Sequence, residues 1–153
     1  VSGSANSSAK TVVVTGASSG IGLASAVRLA GAGWRVFGGV RTENDADALR
    51  ERGIEPLALD VTDAAQIAAA AEAVGPCLDG LVDNAGIAIA APLELVPLDE
   101  LRHQLEVNVV GQVAVTQAFL PALRRARGRI VLMGSIGGKS ALPFLGPYAA
   151  SKH

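Results

Sequence analysis

Thr11-Val12-Val13-Val14-Thr15-Gly16-Ala17-Ser18-Ser19-Gly20-Ile21-Gly22 is the stretch that decides the fold. Its run of β-branched residues reads as a strand buried on both faces, and it stops at Gly16. From Gly20 to Ala32, the residues Ile21, Ala24, Val27 and Leu29 recur at roughly helical spacing, and Gly33 follows as a stop. A glycine-rich turn between strand and helix lets the backbone approach a ligand closely. The free N–H groups and the positive end of the helix then face an anion such as a pyrophosphate. Glycine spacing alone is a weak signal; the strand–turn–helix setting is what points to a nucleotide.

The same alternation continues outward. Trp34–Val40 reads as a second strand, Glu43–Arg52 as an exposed helix closed by Gly53, and Ile54–Leu59 as a third strand. Thr62 is placed to cap a helix over Asp63–Val74, which ends at Gly75-Pro76. Leu78–Val82 is a fourth strand, followed by a loop holding Gly86 and Pro92. A long helix is expected from about Leu98 to Ala126, then a fifth strand over Gly128–Met133, a Gly/Pro-rich loop to Pro147, and a new helix near Tyr148. Apolar strands alternating with helices predict an α/β fold, a Rossmann-type doubly wound parallel sheet with right-handed crossovers. Ligands bind such sheets at the carboxyl ends of the strands.

The glycine turn has the spacing Gly-x-x-x-Gly-x-Gly and resembles the TGxxxGIG of the classical short-chain dehydrogenase/reductase family. The resemblance runs from about Lys10 to the end of the chain. Asp60-Val61 follows the third strand. Asp83-Asn84-Ala85-Gly86 follows the fourth, where the family has Asn-Asn-Ala-Gly. Asn108 lies in the long helix, Ser135 ends the fifth strand, and Tyr148-Ala149-Ala150-Ser151-Lys152 matches YxxxK. The chain has one tyrosine and few lysines, so their meeting at this interval favours a motif over an accident.

The interval suits proton chemistry. Tyrosine and lysine four apart share one face of a helix. A free phenol titrates near ~10, and a nearby ammonium favours the phenolate. Tyr148 would then give or take the proton of a carbonyl/alcohol pair. The resemblance implies that Ser135 orients that oxygen, that Lys152 also binds the nicotinamide ribose, and that Asn108 holds a water relaying protons to Lys152. Taken by itself, Asn108 fits packing as well as function. The resemblance further implies a cofactor lying along Gly16, Ser18, Ser19, Gly20, Ile21 and Gly22, with Asp60 and Val61 at the adenine and Asn84, Ala85 and Gly86 beside the adenosine ribose. Asp83 departs from the family's asparagine and puts one local hydrogen bond in question.

Val40 and Arg41 stand where the family discriminates the adenosine ribose. An apolar residue followed by a guanidinium suits a 2′-phosphate and predicts NADP(H) over NAD(H), although a solvated arginine at a strand end is common. The resemblance also implies two more strands, a substrate-binding loop and a nicotinamide-contacting Pro-Gly segment after Lys152. Residues 11–153 therefore read as the cofactor-binding and catalytic portion of a larger fold, with residues 1–10 as a disordered tail or cloning remnant. The expected function is an NAD(P)-dependent carbonyl reductase or alcohol dehydrogenase. The alternative is a catalytically silent nucleotide-binding or assembly fragment.

Composition narrows the rest. Half of the 153 residues are apolar, 18% are charged, and the net charge is −1, with no basic run to hold a nucleic acid. One cysteine, Cys77, excludes a disulfide framework and a multi-cysteine metal site, and reads as half-buried. No stretch reaches the roughly 20 apolar residues of a membrane span, and Val1–Lys10 has no apolar centre for a signal peptide. The expectations are no metal, no membrane and no nucleic-acid partner, a small-molecule substrate, a homo-oligomer that covers the apolar helix faces, and a cytoplasmic location. His103 reads as solvated.

Overall fold

The structure is a computed structural model and describes residues 9–140 and 142–153; most of the N-terminal tail, residues 1–8, lies outside it. The chain forms β1 (Thr11–Val14), α1 (Gly20–Gly31), β2 (Arg35–Val40), α2 (Glu43–Arg50), β3 (Glu55–Ala58), α3 (Ala64–Val74) and β4 (Gly80–Asp83). After an extended segment come α4 (Leu98–Leu105), a π-helical stretch (Glu106–Gly111), α5 (Gln112–Ala126), β5 (Arg129–Leu132) and α6 (Gly146–Lys152). The five strands make one parallel sheet in the order β3-β2-β1-β4-β5.

Side-chain alternation along the strands divides the core in two. Val13 of β1 and Phe37 of β2 join Leu57 and Leu81 on one face, under Ile67, Ala70 and Val74 of α3 and Val115, Phe119 and Leu123 of α5. Val12, Val14 and Val36 point the other way and pack against Ala26 of α1 and Ala46 and Leu49 of α2. Val12, Val13 and Val14 of β1 are therefore all apolar, because neither face of the strand there meets solvent. β5 is the opposite case. Among the described residues it pairs with β4 alone, and it is exposed along its length, with Ile130, Val131 and Leu132 open.

Three local readings change. Asp63, not Thr62, caps α3: its carboxylate accepts from the Ala65 and Gln66 N–H groups at 2.9 and 3.1 Å. Thr62 turns back instead to Asp60. Cys77 is exposed rather than half-buried, because the chain turns outward at Pro76 before Leu78 re-enters the core. The expected long helix from Leu98 to Ala126 follows one path but widens to π geometry over Glu106–Gly111. Hydrophobic spacing does not separate these two winding modes, because both keep an apolar face toward the sheet.

Candidate nucleotide site and proton-transfer residues

The carboxyl ends of β1, β2, β3 and β4 open onto a cavity of about 350 Å³. Gly16, Ser18, Ser19, Ile21, Arg41, Asp60, Val61, Asn84, Ala85 and Gly86 line it, so most of the residues expected at a dinucleotide meet there. Gly22 is buried behind that wall, while Gly20 starts the helix in the open with φ +54°. Gly16 has φ +62°, a left-handed conformation that side chains resist. A Cβ on Gly22 would lie 2.2 Å from the Gly16 carbonyl oxygen and 2.5 Å from Asn84 Nδ2. The helix start can therefore pack this close to the turn only without a side chain. Such a cradle at the N-terminus of a 12-residue helix fits a pyrophosphate.

At the far side of the cavity, Asp60 Oδ1 accepts from the Thr62 N–H at 2.9 Å and the Thr62 hydroxyl at 2.7 Å. The Thr62 hydroxyl and N–H hold the Asp60 carboxyl below the usual carboxylate range, and the charges of Arg41 and His103 add to this. His103 is exposed, as expected, but it is not merely solvated. With Val107 one turn further on, it forms the wall facing Asp60 and Val61.

Thr15 ties the two sides of the cradle together. Its hydroxyl oxygen accepts from the N–H groups of Asn84 and Ala85, both at 2.9 Å. Asn84 Nδ2 in return donates to the carbonyls of Thr15 and Gly16 at 3.0 and 3.2 Å. The two turns are thus one unit, held by the Thr15 hydroxyl and carbonyl, the Gly16 carbonyl and the Asn84 amide.

The segment after β4 is held from its other side by a row of polar residues on the helix. Gln104 Oε1 accepts from the Ile89 N–H at 2.6 Å. Asn108 Oδ1 accepts from the Ile87 N–H, and Asn108 Nδ2 donates to the Ile87 carbonyl, each at 2.8 Å. Gln112 Nε2 donates to the Ala85 carbonyl at 3.0 Å, and the Thr116 hydroxyl donates to Asp83 Oδ2 at 3.0 Å. Helix residues four apart meet extended residues two apart. The match is metric: four helical residues rise about 6 Å, and two extended residues span about 6.6 Å. In an unbroken α-helix each fourth residue lies about 40° further round, so the last rung would swing about 120° from the first. The π turn holds more residues per turn, so there four residues fall short of a full turn and wind the row back.

Asn108 is 3% exposed and is the centre of this row. Its Nδ2 also donates to Ser151 Oγ at 2.9 Å, which brings α6 against the helix. Lys152 Nζ donates to the Met133 carbonyl beyond β5 at 2.9 Å. A Cβ on Gly86 would lie 3.2 Å from Asn108 Oδ1 and 3.5 Å from Lys152 Nζ. Gly86 therefore joins the nucleotide cavity to these two side chains. Ser135 lies beyond β5 rather than within it and caps a short turn, its Oγ accepting from the Gly137 N–H at 3.1 Å. A Cβ on Gly137 would lie 3.3 Å from Tyr148 Cε1 and 3.4 Å from Ser135 Oγ. Ser135 and the Tyr148 ring thus border one small space, with Tyr148 and Lys152 one turn apart on α6.

Thr15, Gln104, Gln112 and Thr116 were not among the expected site residues. A signal for three of them exists in the chain: a polar residue at every fourth position, 104, 108, 112 and 116, in a stretch where Glu106 is the one other polar residue.

A parallel sheet with a glycine cradle at its first turn, and Ser135, Tyr148 and Lys152 beyond its fifth strand, defines a Rossmann-type fold. The chain belongs to the short chain dehydrogenase family, whose pattern matches residues 10–153. It is 43% identical to human 17-beta-hydroxysteroid dehydrogenase type 1 over 94% of this chain and 48% of that protein. It is 41% identical to 3-amino-tetrahydro-pyrrolizinone reductase of Xenorhabdus hominickii, over 94% of this chain and 51% of the relative. Among solved structures, a short-chain dehydrogenase from Streptomyces avermitilis superposes with a TM-score of 0.88 at 36% identity, covering 95% of this chain and 56% of its own. The F189W actinorhodin polyketide ketoreductase with NADPH gives the same score and identity, covering 95% and 60%. The chain spans about half the length of the relatives it matches. Among the described residues no helix is long and apolar enough to cross a membrane, and no cluster of candidate metal ligands occurs.

Proposed function

We propose that the chain is the cofactor-binding and proton-transfer part of an NADP(H)-dependent oxidoreductase that interconverts a carbonyl and a secondary alcohol. The observation that carries this reading is the continuity at Gly86: the nucleotide cavity ends where Asn108 and Lys152 begin. The glycine cradle of Gly16, Gly20 and Gly22 would hold the pyrophosphate, Asp60 and Val61 the adenine, and Asn84, Ala85 and Gly86 the ribose side. Arg41 would take a 2′-phosphate, and the NADPH-bound polyketide ketoreductase lends this choice support. When bound, the nicotinamide supplies the hydride donor or acceptor.

The chain's own residues handle the proton. The Tyr148 hydroxyl gives its proton to the carbonyl oxygen in reduction and takes it back in oxidation. Ser135 Oγ already accepts from the Gly137 N–H, which leaves its own proton to orient that oxygen. Lys152 spends one N–H on the Met133 carbonyl and keeps two for the ribose hydroxyls and for proton return. Asn108 Oδ1 has a second lone pair beside Gly86 and Lys152, where a water would complete the relay. A homo-oligomer belongs to the same reading, supported by the exposed Val109, Val110 and Val113.

Tyr148→Phe tests it. Turnover over a panel of carbonyls and alcohols is expected to fall by roughly a hundredfold or more, with binding of 2′,5′-ADP unchanged. Because the chain spans about half of its relatives, a nucleotide-binding fragment without turnover is the second reading. Tight 2′,5′-ADP binding with no turnover by the unaltered chain would select it.

A further inference from the structure

Asp83 is fully buried at the end of β4 and pairs with no cation among the described residues. Its Oδ2 faces the Thr116 hydroxyl at 3.0 Å, and its Oδ1 faces the Thr15 hydroxyl at 3.4 Å. The donors can be assigned. Thr15 Oγ1 uses both lone pairs on the Asn84 and Ala85 N–H groups, so its single proton must point to Asp83 Oδ1. Oδ1 is therefore an acceptor in every state, and a proton on Asp83 sits on Oδ2. The Thr116 hydroxyl can rotate to accept it. The network is satisfied with Asp83 neutral or charged, which is what a proton-exchanging site requires. Burial pushes the Asp83 carboxyl up to about 6, against the opposing pull of the Thr116 and Thr15 hydroxyls and the Lys152 charge. Lys152 of α6 is the charged group whose field reaches it, while β1 and α5 present hydroxyls.

Thr15 links this carboxyl directly to the cradle, since the next residue is Gly16. We propose that Asp83 is a positioning residue whose negative charge opposes the dinucleotide pyrophosphate at the adjacent glycine turn, so that the cofactor binds more tightly while Asp83 carries its proton. By linkage, binding then draws a proton onto Asp83 Oδ2. This rests on the nucleotide reading of the cavity and adds the control of that site by protons.

ADP-ribose is the probe, because it carries the pyrophosphate without a 2′-phosphate that titrates. Its affinity is measured by calorimetry from pH 5 to pH 8, in buffers of different ionisation heat, on the full chain with His103→Gln to silence the cavity's histidine. The dissociation constant is expected to weaken roughly tenfold across this range, with proton uptake on binding near pH 6 to 7. Asp83→Asn keeps both hydrogen bonds and is expected to flatten the profile and abolish the uptake. Thr116→Val removes a donor to the carboxylate and is expected to move the change to higher pH. ADP-ribose binding whose pH dependence survives Asp83→Asn overturns this inference alone. Absence of binding at every pH overturns the nucleotide reading and this inference with it.

Discussion

Replacing Asp83 by asparagine is expected to stabilise the protein at neutral pH and to do nothing in acid. An aspartate ordinarily titrates at 3.8, and in the folded chain burial pushes Asp83 to about 6. The folded state therefore holds this proton more tightly than the unfolded chain does. Below 3.8 both states are protonated and burial of the neutral carboxyl carries no charge penalty. As pH rises from 3.8 to about 6, the unfolded chain releases its proton first and folding loses ground. Above about 6 both are ionised and the penalty is constant. At about 1.4 kcal/mol per tenfold change in proton affinity, the whole penalty is about 3 kcal/mol. Asparagine keeps the geometry, accepting from Thr15 through Oδ1 and donating to Thr116 through Nδ2, and has no charge to bury. Urea unfolding at pH 4, 5, 6, 7 and 8 measures the difference. The variant's advantage should grow by about 2–2.5 kcal/mol between pH 4 and pH 7 and then stay nearly level. Parallel stability curves for the two proteins would refute the reasoning, as would an advantage that peaks in acid.

Gly22→Ala drives a methyl into the Gly16 carbonyl at 2.2 Å, so the cradle must open; the melting temperature should fall by an amount equivalent to about 1–3 kcal/mol, and ADP-ribose binding should be lost in the same sample. Arg41→Ala should cut the preference for NADP(H) over NAD(H) by roughly tenfold to a hundredfold, measured as the ratio of dissociation constants. An unchanged ratio would remove Arg41 from phosphate recognition. Gln112→Ala should cost about 1–2 kcal/mol in denaturant unfolding, because it leaves the Ala85 carbonyl without its side-chain donor.

The sheet was legible because its strands are short, apolar and separated by glycine-marked turns. β1 has no polar face to confuse strand with helix, and Gly33 and Gly53 punctuate the elements after α1 and α2. The glycine cradle was legible for a similar local reason, since its conformational demand falls on the residues that spell it. The cap of α3 was misplaced because Thr62 and Asp63 are both good caps. Only the position of Asp60 decides which side chain is free for the helix. The polar row from Gln104 to Thr116 escaped notice because its partners are mostly backbone groups, which the sequence does not label. Asp83 was visible as a departure from the family's asparagine. Its burial between two hydroxyls belongs to the packing of β1, β4 and α5, and no single stretch of chain contains it.

The π turn at Glu106–Gly111 has a consequence for how this stretch can change over evolutionary time. Replacing one residue there leaves the count of residues intact, and every later rung stays in phase. Removing one residue would let the turn relax to ordinary helix and would rotate everything after it by about 100°. Thr116 would leave Asp83, and Phe119 and Leu123 would leave the sheet they now cover. The segment can therefore drift in spelling but not in length, and an insertion or deletion within it would be paid for in the cofactor cradle rather than in the helix itself.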